Sequence, residues 1–250
     1  MIRVPAFVAL LVLLWLGGNW FFHAWQKPTE LLFPFDRSLS KSPRETWQEY
    51  GTLFERHSTS LIKPELLAAL AQTEGAGNPV ARTYWRWQFT PNPLDIYKPA
   101  SSAVGMYQIT DATFREAQRY CIHDHVVVQE GSWNEVRSCW FNSFYFRVVP
   151  SHAIELTAAF LDRSVAHAVQ GRRAPSAAQR DDLAAVIHLC GAGTGREFAA
   201  RRYRLTPHQR CGDHDVRDYL ARISTLKRQF AEMAAGSKSG GRLEPAPAPR

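Results

Sequence analysis

Glu74 is a carboxylate set where a helix pattern calls for an apolar side chain. The stretch 63–79 reads Lys-Pro-Glu-Leu-Leu-Ala-Ala-Leu-Ala-Gln-Thr-Glu-Gly-Ala-Gly-Asn-Pro, with Pro64 at a first-turn position and Gly75, Gly77 and Pro79 where a helix must stop. Glu74 is therefore predicted to be the last residue of that helix. Leu66, Leu67 and Leu70 share one face at helical spacing, and Glu74 projects onto the same buried side. Apolar surroundings and the negative end of a helix both disfavour a charged carboxylate, so proton donation is the natural chemistry at this position. The structural alternative is a partly buried glutamate bonded to a loop amide. A second motif, Gly105-Met-Tyr-Gln-Ile109, is a glycine-led turn that presents the amide of Gln108 just before a helix begins.

Other reactive groups are less promising. His123, Asp124 and His125 are adjacent, and adjacent side chains diverge in any regular element, so a loop is a better reading than a metal site. The four cysteines, Cys121, Cys139, Cys190 and Cys211, form an even set without a Cys-x-x-Cys pair. Of three possible pairings, the two short closures, Cys121 with Cys139 and Cys190 with Cys211, are the simplest, and they suit an oxidising compartment. A net charge of +7 is spread over separate pairs such as Arg172-Arg173 and Arg201-Arg202. That balance does not imply nucleic acid; it suits anionic lipid head groups or an acidic wall polymer. No metal or cofactor is expected.

These residues need a scaffold, and the chain supplies mostly helical patterns. Residues 4–22 are apolar except for Asn19, long enough at ~1.5 Å per residue to approach the ~30 Å hydrocarbon layer. Segment 1–25 is read as a signal anchor, with a cleaved signal peptide as the alternative, and Arg3 keeps its amino terminus cytoplasmic. Residues 26–42 read as a linker that lifts a domain spanning 43–235 off the membrane. Within that domain helices are expected over 43–57, 64–74, 110–120, 151–169, 176–189 and 213–233. Ser176 and Gln179 form a capping box. Segment 78–102, with Pro79, Pro91, Pro93 and Pro99, is expected to be a long irregular loop, and Val126-Val127-Val128 is the best strand candidate. The tail 236–250 has the composition of a disordered segment.

The pair Glu-Gly-x-Gly-Asn-Pro at 74–79 and Gly-Met-Tyr-Gln at 105–108 resembles the lytic transglycosylase domain of the lysozyme superfamily, whose pattern is Glu-Ser-x-x-Asn-Pro followed by Gly-Leu-Met-Gln. The resemblance implies a mainly α, lysozyme-like domain over about 43–235. It places the sole catalytic acid and base on Glu74 and a substrate-binding role on Gln108, with Met106 and Tyr107 lining the sugar cleft. Thr83, Ser101 or Ser102 would replace the family's serine near the cleft. The implied reaction cleaves peptidoglycan between N-acetylmuramic acid and N-acetylglucosamine without water and leaves a 1,6-anhydro end. The implied location is the periplasmic side of a bacterial inner membrane, and the implied partners are peptidoglycan strands and a cell-envelope protein complex.

The chain departs from the family in two places. An aromatic insert with Tyr84, Trp85, Trp87, Phe89 and Tyr97 lengthens the spacing between the motifs. These rings either stack on sugars, with Arg86 or Gln88 bonding hydroxyls, or staple the loop to the core, the reading preferred for most of them. Downstream, the family's Ala-Tyr-Asn-Ala-Gly is reduced to Leu-Cys-Gly-Ala-Gly at 189–193. Its tyrosine would have to be replaced by His188, Tyr203 or Tyr145. Two rival functions follow: a hydrolytic muramidase using Asp95 or Asp111 as second carboxylate, and a non-catalytic wall-binding scaffold.

Overall fold

The computed structural model describes residues 3–35, 37–129, 131, 135 and 138–240. Its seven helices are α1 (Arg3–Gln26), α2 (Pro43–Arg56), α3 (Pro64–Gly75), α4 (Asp111–Ala117), α5 (Pro150–Val169), α6 (Ala177–Ala200) and α7 (Val216–Gly240), so the chain is mainly helical. Local chemistry sets most of the starts. Ser42 with Glu45, and Ser176 with Gln179, close reciprocal capping boxes at α2 and α6, while Pro64 and Pro150 occupy first-turn positions of α3 and α5.

The core surrounds α3, which is buried from Leu66 to Ala71 and packs against α7 and α2, while α5 packs against α6. Helix α3 runs one residue further than expected, to Gly75, and Ala76 closes it in the left-handed region. Helix α6 breaks near its expected end, at Gly191, where φ is +83° and ψ 163°, and a second helical segment follows the kink to Ala200. Helix α7 reaches Gly240, so 236–240, expected to be disordered, is helical; 241–250 lie outside the described residues.

The expected irregular loop contains a hairpin. Strand β1 (Trp85–Trp87) pairs antiparallel with β2 (Tyr97–Pro99), with Trp87 opposite Tyr97. Proline did not prevent this, because Pro99 ends its strand and the other prolines stand outside the paired residues. Two further hairpins join β3 (Tyr120–His123) to β4 (Val126–Gln129), which contains the predicted valine strand, and β5 (Arg210–Cys211) to β6 (His214–Asp215). The two disulfides are Cys121–Cys139 and Cys190–Cys211, with Cα separations of 5.3 and 5.4 Å.

Segment 26–42 does not hang free as a linker. It winds into short 3-10 turns, Pro28–Phe35 and Arg37–Leu39, and carries a fully buried Glu30. Its carboxylate accepts from Arg82 Nη1 at 3.1 Å and Trp85 Nε1 at 2.8 Å and pairs with Lys27 Nζ at 3.3 Å. Oε2 takes both hydrogen bonds and Oε1 the ion pair, and the matched charge is what makes a buried carboxylate tolerable. Two of the insert's rings are stapled, but to α1 rather than to the core: Trp87 stacks on Trp15, and Trp85 meets His23 edge-on, while Phe89 is fully exposed. Tyr84 instead donates to Asp213 at 2.8 Å.

A buried cluster on the far side of α5 predicts the acid sensitivity of the fold. Glu155 accepts from Tyr145 Oη and Ile122 N, both at 2.9 Å, with His57 Nδ1 at 3.7 Å. Burial lowers the pKa of both His57 and His152 from the usual 6.5, Glu155 opposing it in each case. At His152 the geometry agrees, because Nδ1 accepts from Phe146 N at 3.2 Å and must be unprotonated to do so. Histidines with depressed folded values bind more protons when unfolded, so stability falls as pH drops through about 6.5 and below. Thermal melts between pH 8 and pH 5 will show a declining Tm, and His152→Gln will flatten that decline.

Candidate active site

Glu74 sits on the last turn of α3, with its side chain 16% exposed. Its position is fixed from both sides. On one, Thr46 Oγ1 donates to Gln72 Oε1 at 2.7 Å, and Lys41 N donates to Ala76 O at 2.7 Å, tying the helix end to the start of α2. On the other, the Gly105 turn packs directly on Gly75: a Cβ at Gly75 would lie 2.8 Å from Met106 Cα. Gly105 has φ +80°, and a Cβ there would lie 2.5 Å from Arg147 O, so both motifs need glycine for close backbone approach. Arg147 clamps the turn further, donating to Ser102 O and Ile109 O at 2.9 and 2.8 Å.

The carboxylate's partner comes from the other end of the chain. Tyr219 Oη, on α7, donates to Glu74 Oε1 at 2.6 Å, and His188 Nε2, on α6, lies 3.8 Å from the same oxygen. Burial, reinforced by the charge of Glu74, pushes the Tyr219 phenol well above its ordinary range, so it remains a donor. With Oε1 occupied, Oε2 bonds no protein group among the described residues and is the oxygen free to carry a transferable proton. The Cys190–Cys211 disulfide bridges α6 just after His188 to the β5–β6 hairpin that leads into α7. It thereby ties together the two elements that hold Glu74 Oε1.

Of the three proposed replacements for the missing tyrosine, only His188 reaches Glu74. Tyr145 bonds Glu155, and Tyr203 packs on Phe198. Tyr219 is not among the candidate residues read from the sequence; it falls at helical spacing with Val216, Leu220, Ile223 and Leu226 in the last helix. Its signal was that it alone in that stripe carries a hydroxyl.

The Gly105–Ile109 motif is brought beside Glu74 but behaves differently from expectation. Met106 and Tyr107 are fully buried and therefore support the site from beneath rather than line a cleft. Tyr107 Oη donates to Leu67 O at 3.1 Å and its ring meets His188 edge-on, which positions the imidazole. Gln108 takes a left-handed φ of +48° and spends its amide nitrogen on Ala81 O and Gly105 O, at 3.1 and 2.9 Å. It nonetheless lines, with His188 and Thr113, a cavity of about 240 Å³. Thr83, Ser101 and Ser102 are not gathered around Glu74. Thr83 Oγ1 donates to Ser101 O, while the Ser101 and Ser102 hydroxyls accept from Ala103 N and Asp111 N, so all three brace the loop near Lys27. His123 and His125 diverge, toward Cys121 and Ser58 O respectively.

No family model, curated protein or solved structure matches this chain.

Tyr219→Phe tests the site directly. Losing a hydrogen bond to a charged group removes roughly 1.5–3 kcal/mol. If Glu74 is a catalytic group, turnover should fall about 10- to 100-fold. Initial rates on cell-wall sacculi across pH, beside a thermal melt, separate this from loss of fold.

Proposed function

We propose that this protein is a membrane-anchored peptidoglycan lytic transglycosylase in which Glu74 is the single acid and base and the domain is lysozyme-like. The observation that carries the reading is the Tyr219–Glu74 hydrogen bond, which fixes one oxygen of a shielded carboxyl group and leaves the other open. In the first step Oε2 gives its proton to the glycosidic oxygen as the bond to the anomeric carbon breaks. The substrate's N-acetyl oxygen assists at that carbon. Glu74 then takes the proton of the C6 hydroxyl, whose oxygen closes the 1,6-anhydro ring.

The second carboxylates considered for hydrolysis are engaged elsewhere. Asp111 pairs with Arg147 at 2.8 Å and Asp95 with Lys98 at 3.1 Å. That favours the single-carboxylate mechanism. The apolar α1, long enough to span a bilayer, and the two disulfides favour a domain outside the cytoplasm.

Digestion of purified sacculi by the full-length protein is the decisive experiment. Anhydromuramic ends are expected. Reducing ends would assign a muramidase instead, and an unmodified protein that releases nothing would assign a wall-binding scaffold.

A further inference from the structure

The hairpin Trp85–Pro99 is attached to a helix that, by length and composition, belongs in a bilayer, and the attachment uses that helix's polar side chains. Asn19 Nδ2 donates to Tyr97 O at 2.6 Å, and His23 Nε2 lies 2.8 Å from Leu94 O. Both side chains are buried, while Phe21, Phe22 and Trp25 of the same helix stay exposed. A hairpin in water has no need of such partners for its carbonyls. One at membrane depth does, because lipid offers no hydrogen bonds to exposed backbone.

The depths can be read along α1. At ~1.5 Å per residue, a hydrocarbon layer of ~30 Å that begins at Val4 ends near His23. Trp85 touches His23, Tyr97 is held at Asn19, and Trp87 stacks on Trp15. Trp15 is eight residues before His23, which puts Trp87 roughly 12 Å below the boundary. Trp87 is 65% exposed and Phe89, beyond it, is completely exposed, so the hairpin's outward rings are apolar where the helix is. The charged members are Arg86, Lys98 and Asp95: Lys98, opposite Arg86 in the hairpin, pairs with Asp95 at 3.1 Å, while long-chained Arg86 can extend toward the headgroups. Arg86 and Lys98 line, with Lys27, Arg147 and the carboxylates Asp95 and Asp111, a cavity of about 730 Å³ at the C-terminal end of α1. That is the level of lipid phosphates.

We propose that the Trp85–Pro99 hairpin is a second membrane element, dipping its Trp87–Phe89 side into the outer-facing leaflet beside α1 while Arg86 extends to the anionic lipid phosphates. The inference rests on α1 being a membrane segment and is independent of the chemistry at Glu74. It fixes the domain at a set height on the bilayer, consistent with the folded segment 26–42 in place of a free tether.

The test uses the full chain in vesicles of phosphatidylethanolamine and phosphatidylglycerol, without reductant, so that the native cysteines stay paired. Single cysteines are introduced as Phe89→Cys, Leu11→Cys on α1 and Ser224→Cys on the exposed side of α7, and each is reacted with a water-soluble maleimide. Phe89→Cys and Leu11→Cys should react at least about tenfold more slowly than Ser224→Cys. Fast reaction at Phe89→Cys with Leu11→Cys protected overturns the inference alone. Fast reaction at both removes the membrane reading of α1 as well. Protection at Phe89→Cys that disappears when the protein is diluted in lipid means that a second copy covers the hairpin, and also overturns it. Because the vesicles contain no glycan, protection cannot come from sugar stacking.

Discussion

If Glu74 is the proposed acid and base, a Glu74→Gln protein will fold as the parent does and release glycan fragments from sacculi about 10²- to 10⁴-fold more slowly, the usual contribution of a positioned general acid and base. The amide keeps the volume of the side chain, and its carbonyl oxygen can still accept from Tyr219 Oη, so the bond that ties α3 to α7 survives. What it cannot do is deliver a proton to a leaving oxygen or take one from a hydroxyl. Melting temperature and circular dichroism should therefore match the parent while the anhydromuramic product disappears. Retained cleavage would remove the acid assignment from Glu74, and with it the proposed mechanism.

Removing the Cys190–Cys211 bridge as a double serine variant should cost about 3 kcal/mol, the chain-entropy value for closing a loop of this length. For a domain of this size that lowers Tm by roughly 6–12 °C. The loss should reach activity as well, because the bridge joins the segment after His188 to the hairpin before Tyr219. The Cys121–Cys139 double serine variant is the matched control. Its sequence separation is 18 against 21, so the stability loss is similar, but it ties β3 to the turn before Trp140 rather than to the partners of Glu74. At a temperature where both variants are fully folded, the proposed activity should be slower in the first. Equal rates would show that the geometry of the site does not depend on the bridge.

The fold was legible where its cause was local. Capping at Ser42 and Ser176, prolines at the first turns of α3 and α5, and the glycines that stop α3 act within a few residues, so they are visible in sequence. Local signals misled at the hairpin. Four prolines argued for an irregular loop, but β1 and β2 need only three residues each and avoid most of the prolines. Helix α7 outlasted its expected end because the pattern Ala-Ala-Gly-Ser-Lys-Ser-Gly after Met233 does not forbid a helix already nucleated by the buried turns before it.

The sequence by itself determined that a glutamate would stand at a helix end facing apolar side chains, beside a glycine break, because helix periodicity and glycine stereochemistry are properties of short stretches. Only the tertiary structure decided that Tyr219, 145 residues away, holds that glutamate, that Met106 and Tyr107 lie beneath the site, and that the aromatic insert grips α1. Those choices depend on which remote surfaces pack together and which buried oxygens then need a donor. No pattern within a single element carries that information.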